Sequence, residues 1–521
     1  MTKITTEMKR FDVANVSVTS NGEDSMVDIK AANMSKEEHK ARRNKKRQLL
    51  FNFSALCLIW LFSFTAYSGL INLEASLHAD TGLYSLFAIT FGGVIACTFA
   101  PSVIARLGPK GSLILACLFQ TVYVIANYYP KAYILISGGA ISGLASGLMW
   151  TVQGCYITSI AVDYLRFDLS HTSLGSVLSK LSGLFYMAFQ STQIFGNLIS
   201  SVVFQFGETT LKFSNNSFCG ANFCPSDMNI HVPMNHSQNT TIETTHMDAS
   251  NHDSVNVLIS IYLACTVVAL LICIFGLRPI ESSMSEKYET FKERFASSWG
   301  LLFKDLKVLL VVPLYFYIGM QLIVMFVQFT RSFTACRLGV GWIGYTMLCF
   351  GAADTVGSLV FGYIGKYTGR IPLFLLATVL ELGLLAFMML WDITNDTSAI
   401  FFFLIPLAWG LCDSIWMTQS MALVGSAFHK NPETTFALCI LFQALGSAVA
   451  YIYNIYICEY LKIYIVSITL VISVFLVLIL EIRIRRADKI RKNQVKTENV
   501  NSVKESLLEQ EIPHIYPVDK A

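Results

Sequence analysis

Charged side chains are scarce in this chain. Only 14% of its 521 residues are Asp, Glu, Lys or Arg, whereas average soluble domains carry about 25%. Hydrophobic residues make up 54% of the chain, and they fall in runs of about 20, the length that crosses a bilayer. The composition therefore excludes a soluble globular protein, a disordered chain and a nucleic-acid-binding protein. It predicts an all-α polytopic membrane protein.

Common catalytic motifs are also missing. The sequence contains neither a GxxxxGK[ST] phosphate loop nor an HExxH pair, the signatures of nucleotide-dependent enzymes and zinc proteases. We therefore expect no enzymatic activity and no cofactor. Any transport by such a chain would have to be facilitated or driven by a gradient.

Positive charge orients the predicted spans. The basic run Lys40–Arg47 (KARRNKKR) directly precedes the first of twelve apolar spans, and such clusters stay in the cytoplasm. With the chain started inside, all but five of the 38 Lys and Arg fall on the cytoplasmic side. Both termini are therefore predicted to be cytoplasmic. The five residues left outside are Lys131, Lys212, Arg331, Arg337 and Lys462.

The long loop 207–253 between spans five and six is predicted to be outside the cell. It holds three Asn-x-Ser/Thr sequons, and a fourth lies between spans nine and ten. Such sites are glycosylated in exposed loops on the secretory side. We expect a local disulfide between Cys219 and Cys224 of the same loop. Its His and Met residues have irregular spacing, so no metal site is expected. The predicted N-glycosylation sites are Asn215, Asn235, Asn239 and Asn395.

The spans fall into two halves of six, a layout typical of a major facilitator fold around a central cavity. Spans four and ten correspond in that layout, and each carries a Trp-x-x-Gln sequence. The predicted domains are a disordered cytoplasmic tail 1–48, a first half 49–280, a cytoplasmic linker 281–306, a second half 307–482 and a cytoplasmic tail 483–521.

The loops after spans two and eight keep only part of that fold's loop signature. The first loop reads PSVIARLGPK and keeps Arg106, and the second reads GYIGKYTGR and keeps Arg370. Ala105 and Lys366 stand where the signature has an acidic residue. Because this acid belongs to the charge relay that gates rocking of the halves, its absence weakens the case for active alternating access.

Three acids lie within apolar spans: Asp354, Glu381 and Asp413. An ionisable group at bilayer depth costs about 2.5–3.5 kcal/mol on insertion scales, so each is a functional candidate. Glu381 lies on a peripheral span, and we expect it to pair with a neighbour or to face a partner protein.

Asp413 begins a candidate cavity site. In span ten, Asp413, Trp416 and Gln419 are spaced i, i+3, i+6, and three residues of span four have the same spacing. Each set of three lies within about 120° of one helix face. The alternative is that these side chains form hydrogen bonds between helices, worth about 0.6 kcal/mol each. The six candidate residues are Trp150, Gln153, Tyr156, Asp413, Trp416 and Gln419.

Several separate motifs occur in an order that resembles the unc-93 family. They include FTAYSGLINLEASL (Phe64–Leu77), LMWTVQGCYIT (Leu148–Thr158), WGLCDSIWMTQ (Trp409–Gln419) and FALCILFQALGSAVAY (Phe436–Tyr451). The resemblance implies a transporter-like fold in an accessory protein, since some members regulate two-pore-domain potassium channels and an endosomal branch escorts Toll-like receptors. The implied partners are the lipid bilayer and a potassium channel or receptor, with no nucleic acid.

Three functions remain open at this point. The resemblance favours a regulatory subunit of another membrane protein, the polar faces of spans four and ten favour a solute transporter, and a third alternative is a trafficking chaperone for receptors. The resemblance also implies the plasma membrane as the location, with an endosomal or lysosomal membrane as the alternative.

Overall fold

The computed structural model is helical throughout the part of the chain that it describes. Within that part there is no β-strand, and one short 3-10 turn lies at Gly220–Asn222. The described residues are 36–77, 79–129, 131–167, 173–204, 219–224, 249–280, 300, 302–338, 342–393, 397–428 and 432–510.

The described residues of the first half form five long helical elements. The second of them is two helices that meet at Gly108, whose φ of 71° is a left-handed conformation open to glycine. The elements are α1 (Lys36–Leu77), α2 (Ala79–Ala126), α3 (Ala132–Phe167), α4 (Leu174–Phe204) and α5 (Ala249–Leu271), which continues as the π-helical turn Ile272–Gly276.

The described residues of the second half form six long helices. The first is capped by Asp305, whose side chain accepts a hydrogen bond from the Lys307 N–H at 2.9 Å. The helices are α6 (Leu306–Ile323), which continues as π-helix Val324–Ala335 and a last turn Cys336–Leu338, then α7 (Ile343–Thr368), α8 (Arg370–Leu390), α9 (Phe401–Ala427), α10 (Pro432–Tyr456) and α11 (Glu459–Gln510).

Ten helical stretches among the described residues are long and apolar enough to cross a membrane. One of them, Tyr84–Ala126, contains the break at Gly108 and so holds both arms of α2. The structure therefore shows a polytopic, all-helical membrane protein, as the apolar runs predicted.

The first helix extends further than the predicted span. α1 begins at Lys36, so the prediction of a disordered tail over 1–48 is wrong from that residue onwards. The basic run Lys40–Arg47 lies on this helix because Lys, Arg and Ala are strong helix formers, and Glu37 and Glu38 occupy the first turn, where acids are favoured. Similarly, α11 continues past the predicted membrane boundary to Gln510.

A ladder of glycines packs α3 against α2. A Cβ placed on Gly139 or Gly143 would collide with the backbone of Ser85 or Ile89, and one on Gly147 would lie 2.7 Å from the Gly93 carbonyl. Small residues let helix backbones approach this closely in membranes. The ladder thus makes a contact inside the bundle.

The two halves meet along α4 and α7. Gly183 of α4 and Gly362 of α7 touch through their backbones, since a Cβ on Gly183 would lie 2.6 Å from the Gly362 Cα. Close by, the Ser179 hydroxyl of α4 donates to the Gly362 carbonyl at 3.0 Å. This contact brings polar groups of the first half against the second half.

The predicted local disulfide between Cys219 and Cys224 is wrong. Cys219 is bonded to Cys336 after α6, and Cys224 is bonded to Cys458 before α11. The two cysteines flank the 3-10 turn, and the segment lies across the ends of α6, α8 and α11, so each thiol meets a different part of the second half. We call the end of the bundle that carries these bonds the disulfide end.

The four predicted glycosylation sites lie outside the described residues. Asn52, a sequon that the charge pattern places within the first span, is buried in α1 instead of lying in a loop. Its side chain accepts a hydrogen bond from the Arg278 N–H at 2.8 Å.

Candidate functional site

Asp413 lies at the centre of a buried polar cluster. Its carboxylate accepts a hydrogen bond from Gln321 of α6 at 2.5 Å and a longer one from Gln190 of α4 at 3.4 Å. The Gln321 oxygen in turn accepts from the Trp409 indole N–H at 2.7 Å. Because α4 belongs to the first half, Asp413 is held by side chains of both halves.

A second acid, Asp354 of α7, lies beside this cluster. Its side chain is fully buried, and its carboxyl group is close enough to Asp413 to interact with it. Ser358 donates to one Asp354 oxygen at 3.2 Å, while the other oxygen has no hydrogen-bond partner among the described residues. Gly410 allows α9 to lie close to α7 here, because a Cβ on Gly410 would lie 3.1 Å from the Asp354 backbone nitrogen.

The third acid, Glu381, has its hydrogen-bond partner within the second half. It accepts a hydrogen bond from the Trp416 indole at 2.6 Å. The Trp416 ring stacks on Phe374 of α8, with ring centroids 5.8 Å apart. Glu381 thus pairs with a neighbour within the second half, one of the two arrangements that its peripheral position favoured.

Gln419 makes a separate contact between the halves. Its amide nitrogen donates to the Ser179 hydroxyl of α4 at 3.3 Å and to the Phe361 carbonyl of α7 at 3.2 Å. Asp413, Trp416 and Gln419 therefore contact three different sets of neighbours. Residues at i, i+3 and i+6 spread over about 120°, which is wide enough to face different helices.

The three candidates on α3 also contact different sets of neighbours. Trp150 lies in an aromatic cluster, with its ring 4.8 Å from that of Phe189 and 6.4 Å from that of Tyr186. The Tyr156 hydroxyl donates to the Arg278 carbonyl at 3.1 Å, beyond the end of α5. Gln153 is buried, and its amide nitrogen has no hydrogen-bond partner in the described structure.

The structure thus assembles a different group from the six candidates. Of those six, only Asp413 lies in the central cluster. Among its companions there, Asp354 was singled out from the sequence as an acid within a span, and the others were not. Gln190 and Gln321 are the clearest omissions, and the signal for both was an amide side chain inside an apolar span. The central cluster consists of Gln190, Gln321, Asp354, Ser358, Trp409 and Asp413.

Arg370, in the loop after span eight, binds a carboxylate from another helix. It forms an ion pair with Glu481 of α11 at 2.5 Å and donates to the Ser426 hydroxyl at 2.8 Å. In the first half, Lys110 donates to the Ile274 carbonyl at 2.8 Å. Both loops therefore bind neighbouring helices although Lys366 and Ala105 replace the acids of the signature.

Comparison with known proteins decides the family. A family model described as "Ion channel regulatory protein UNC-93" matches residues 74–478, which is most of the chain. The chain belongs to the UNC-93 family. The resemblance drawn from the separate sequence motifs is thereby confirmed.

Relatives in this family match nearly the whole membrane region. The chain is 32% identical to protein unc-93 homolog A of Bos taurus over 433 residues, which is 81% of this chain and 90% of the relative. It is 30% identical over 437 residues to the putative potassium channel regulatory protein unc-93 of Caenorhabditis elegans, which is 82% of this chain and 60% of that protein.

Solved structures identify the fold of this UNC-93 family member. The major facilitator superfamily transporter FucP, in its outward conformation, superposes with a TM-score of 0.58. The match covers 82% of this chain and 99% of FucP at 11% sequence identity. This likeness shows a major facilitator fold and carries no statement about substrate.

Proposed function

We propose that this UNC-93 family member is a regulatory or accessory subunit of another membrane protein, with a two-pore-domain potassium channel as the partner. The observation that carries the proposal is the family match over residues 74–478. The name of the Caenorhabditis elegans relative, a putative potassium channel regulatory protein, supports the choice of a channel.

Contacts between the halves support an accessory role. Asp413 binds Gln190 across the interface, and Gln419 binds Ser179 across it nearer the opposite end from the disulfides. Polar bonds of this kind hold membrane helices together. They oppose separation of the two halves, a movement that a rocking transporter needs and an accessory subunit does not.

We further propose twelve spans with both termini in the cytoplasm, in the plasma membrane. The two disulfides support this orientation, because such bonds persist in oxidising compartments, and they involve the loop predicted to be outside. The domain limits predicted from the sequence are kept, with helix added from Lys36 and up to Gln510. An endosomal or lysosomal membrane is the alternative location.

Affinity purification in digitonin from native membranes, followed by mass spectrometry, tests the accessory role. We expect a potassium channel in near-stoichiometric amount and altered channel current when the two proteins are co-expressed. Asp413→Asn in the core should leave the current effect intact, whereas changes on the lipid-facing surface, for example Phe275→Ser, should reduce it. A solitary protein with no effect on channel currents would contradict the proposal.

A gradient-driven solute transporter is the second candidate. The adjacent buried acids Asp354 and Asp413 favour it, because acids at bilayer depth mark ion or substrate paths in many transporters. Under this proposal, Asp413→Asn abolishes uptake of the transported solute while the surface level of the protein is unchanged. Uptake that is unaffected by both Asp413→Asn and Gln153→Ala would exclude this site.

A further inference from the structure

The segment Cys219–Cys224 belongs by sequence to the first half and by contact to the second half. Two disulfides attach it, Cys219 to Cys336 at the end of α6 and Cys224 to Cys458 before α11. The partners are 117 and 234 residues apart in the chain. Each bond is thus a covalent link between the halves, additional to the chain itself. We call residues 219–224 the strap.

The strap is also packed and hydrogen-bonded onto the second half. The Phe223 carbonyl accepts a hydrogen bond from the Glu459 N–H at 2.9 Å, and Arg331 lies over the Phe223 ring at 5.7 Å. Phe223 and Ala221 are each 6% exposed. Because Glu459 begins α11, its amide is one of those that a helix leaves without an internal partner, and the strap supplies one.

A glycine makes this fit possible. Gly220 has a φ of 80°, a left-handed conformation that favours glycine. It lies so close to the loop after α8 that a Cβ there would be 3.0 Å from the Ile393 Cδ1 atom. The strap therefore follows the surface formed by α6, α8 and α11.

A buried charged cluster lies next to the strap. Glu459 and Lys462 form an ion pair at 3.0 Å, and both are almost completely buried. Lys462 also donates to Asn454 at 2.6 Å, and Ser332 donates to Glu459 at 3.0 Å. Taking such a pair out of water is costly unless its geometry is good and its other polar atoms are hydrogen-bonded, and this pair lies where water is excluded. Phe223, whose carbonyl is hydrogen-bonded to the Glu459 backbone, contributes to that exclusion of water.

The four disulfide cysteines are not buried. Cys219, Cys224, Cys336 and Cys458 are all partly exposed, whereas most of the free cysteines in the described ranges are buried within helices. These residues therefore lie at the surface of the bundle, where a dithiol can approach them. Exposure of this kind distinguishes bonds that can be exchanged from those that only stabilise a core.

We propose that the strap is a thiol–disulfide exchange site that controls its own attachment to the second half. A dithiol reductant is the co-substrate: for each bond, one thiolate attacks a sulfur and the second thiol completes the exchange. The reductant closes into its own disulfide, and two electrons and two protons pass to the pair of cysteines. With both bonds formed the strap is fixed on α11, and with both reduced it detaches and Glu459 and Lys462 become hydrated.

The covalent link is tested on the full-length protein carrying a protease site within 281–299. After cleavage, the two halves should run as one band on a non-reducing denaturing gel and as two bands after dithiothreitol. Cys336→Ser alone should keep one band through the remaining bond, and Cys336→Ser with Cys458→Ser should give two bands without reductant. Cys349→Ser, which removes a free thiol of α7, is the control and should keep one band.

Two results would overturn the link. One is separation of the wild-type halves without reductant, and the other is a cross-linked peptide that joins Cys219 to Cys224 in mass spectrometry of the unreduced protein. The peptide analysis needs no variant, so it stands even where a cysteine substitution prevents folding.

Release of the strap is tested by hydrogen exchange of the wild-type protein with and without dithiothreitol. Peptides that begin near Glu459 should exchange at least tenfold faster after reduction, because the Glu459 amide loses its Phe223 partner. Peptides covering the turn at Asn127, where the amide bonds to the Val124 carbonyl at 3.2 Å, should not change. Unchanged exchange at Glu459, with both bonds reduced, would refute control of attachment by the disulfides.

Discussion

Arg370 and Glu481 form a 2.5 Å ion pair that joins the start of α8 to α11. The Arg370 side chain is 15% exposed and that of Glu481 is 2% exposed. The loop containing Arg370 lacks the acid that its fold normally places there, because Lys366 occupies the position. A carboxylate from a helix 111 residues further along the chain therefore binds the arginine that the loop retains.

Glu481→Gln should destabilise the protein by about 3–5 kcal/mol, since removing one partner leaves a largely buried charge without its counter-ion. Thermal unfolding of the detergent-purified protein measures the effect. Arg485→Gln is the matched control, because Arg485 lies 3.9 Å from the same carboxylate and is 57% exposed. An exposed pair of this kind is worth about 0–1 kcal/mol. Equal losses in both variants would contradict a special role for Arg370.

Gln321→Met should destabilise the core by about 2–3 kcal/mol. It removes the shortest hydrogen bond to the Asp413 carboxylate and the acceptor of the Trp409 indole, and bonds to charged groups contribute about 1.5–3 kcal/mol each. Gln153→Met is the control, because the Gln153 amide nitrogen has no partner in the described structure. Denaturation midpoints should rank wild type and Gln153→Met above Gln321→Met, and the reverse order would contradict the arrangement.

Gly183→Ala should force α4 and α7 apart. Its new methyl group would collide with the backbone of Gly362, and overpacking of this kind costs about 1–3 kcal/mol. Gly383→Ala in α8 is the matched control, because nothing lies within 4 Å of its Cβ position. We expect a lower melting temperature only for Gly183→Ala, and a similar temperature for both variants would show that the interface tolerates the extra atom.

N-glycosidase treatment should shift the gel mobility of the wild-type protein. We expect each single substitution by Gln at the four predicted sites to remove one step of that shift, and the sites are Asn215, Asn235, Asn239 and Asn395. Asn52→Gln should leave that shift unchanged, because Asn52 is buried in α1 and bonded to Arg278. Expression in a mammalian cell line and immunoblotting provide the readout. A shift that none of the first four substitutions alters would contradict the proposed orientation of the spans.

Much of the bundle is predictable because its signals are local. The apolar runs predict membrane helices, and the i, i+4 spacing of the α3 glycines is typical of close helix contacts such as that of Gly143 with Ile89. The peripheral position of Glu381 predicts either a neighbour in the bundle or a partner protein, and in the structure it binds its neighbour Trp416. Each of these inferences depends on one helix and the periodicity of its own residues.

The central cluster and the disulfides escaped prediction because they depend on which helices are adjacent. Gln321 and Asp413 are 92 residues apart, and Gln190 and Asp413 are 223 apart. The sequence of one helix shows that a polar side chain is present, but it does not show which neighbouring helix that side chain faces. The same limit explains why proximity in sequence favoured the bond between Cys219 and Cys224.

The order in which the chain is synthesised delays formation of both disulfides of the strap. Cys219 and Cys224 leave the ribosome long before Cys336 and Cys458, by 117 and 234 residues respectively. During that interval the two early thiols are five residues apart, and under the proposed orientation they could pair with each other in an oxidising lumen. Such a bond would have to be exchanged after α11 has been made before the two native pairs can form.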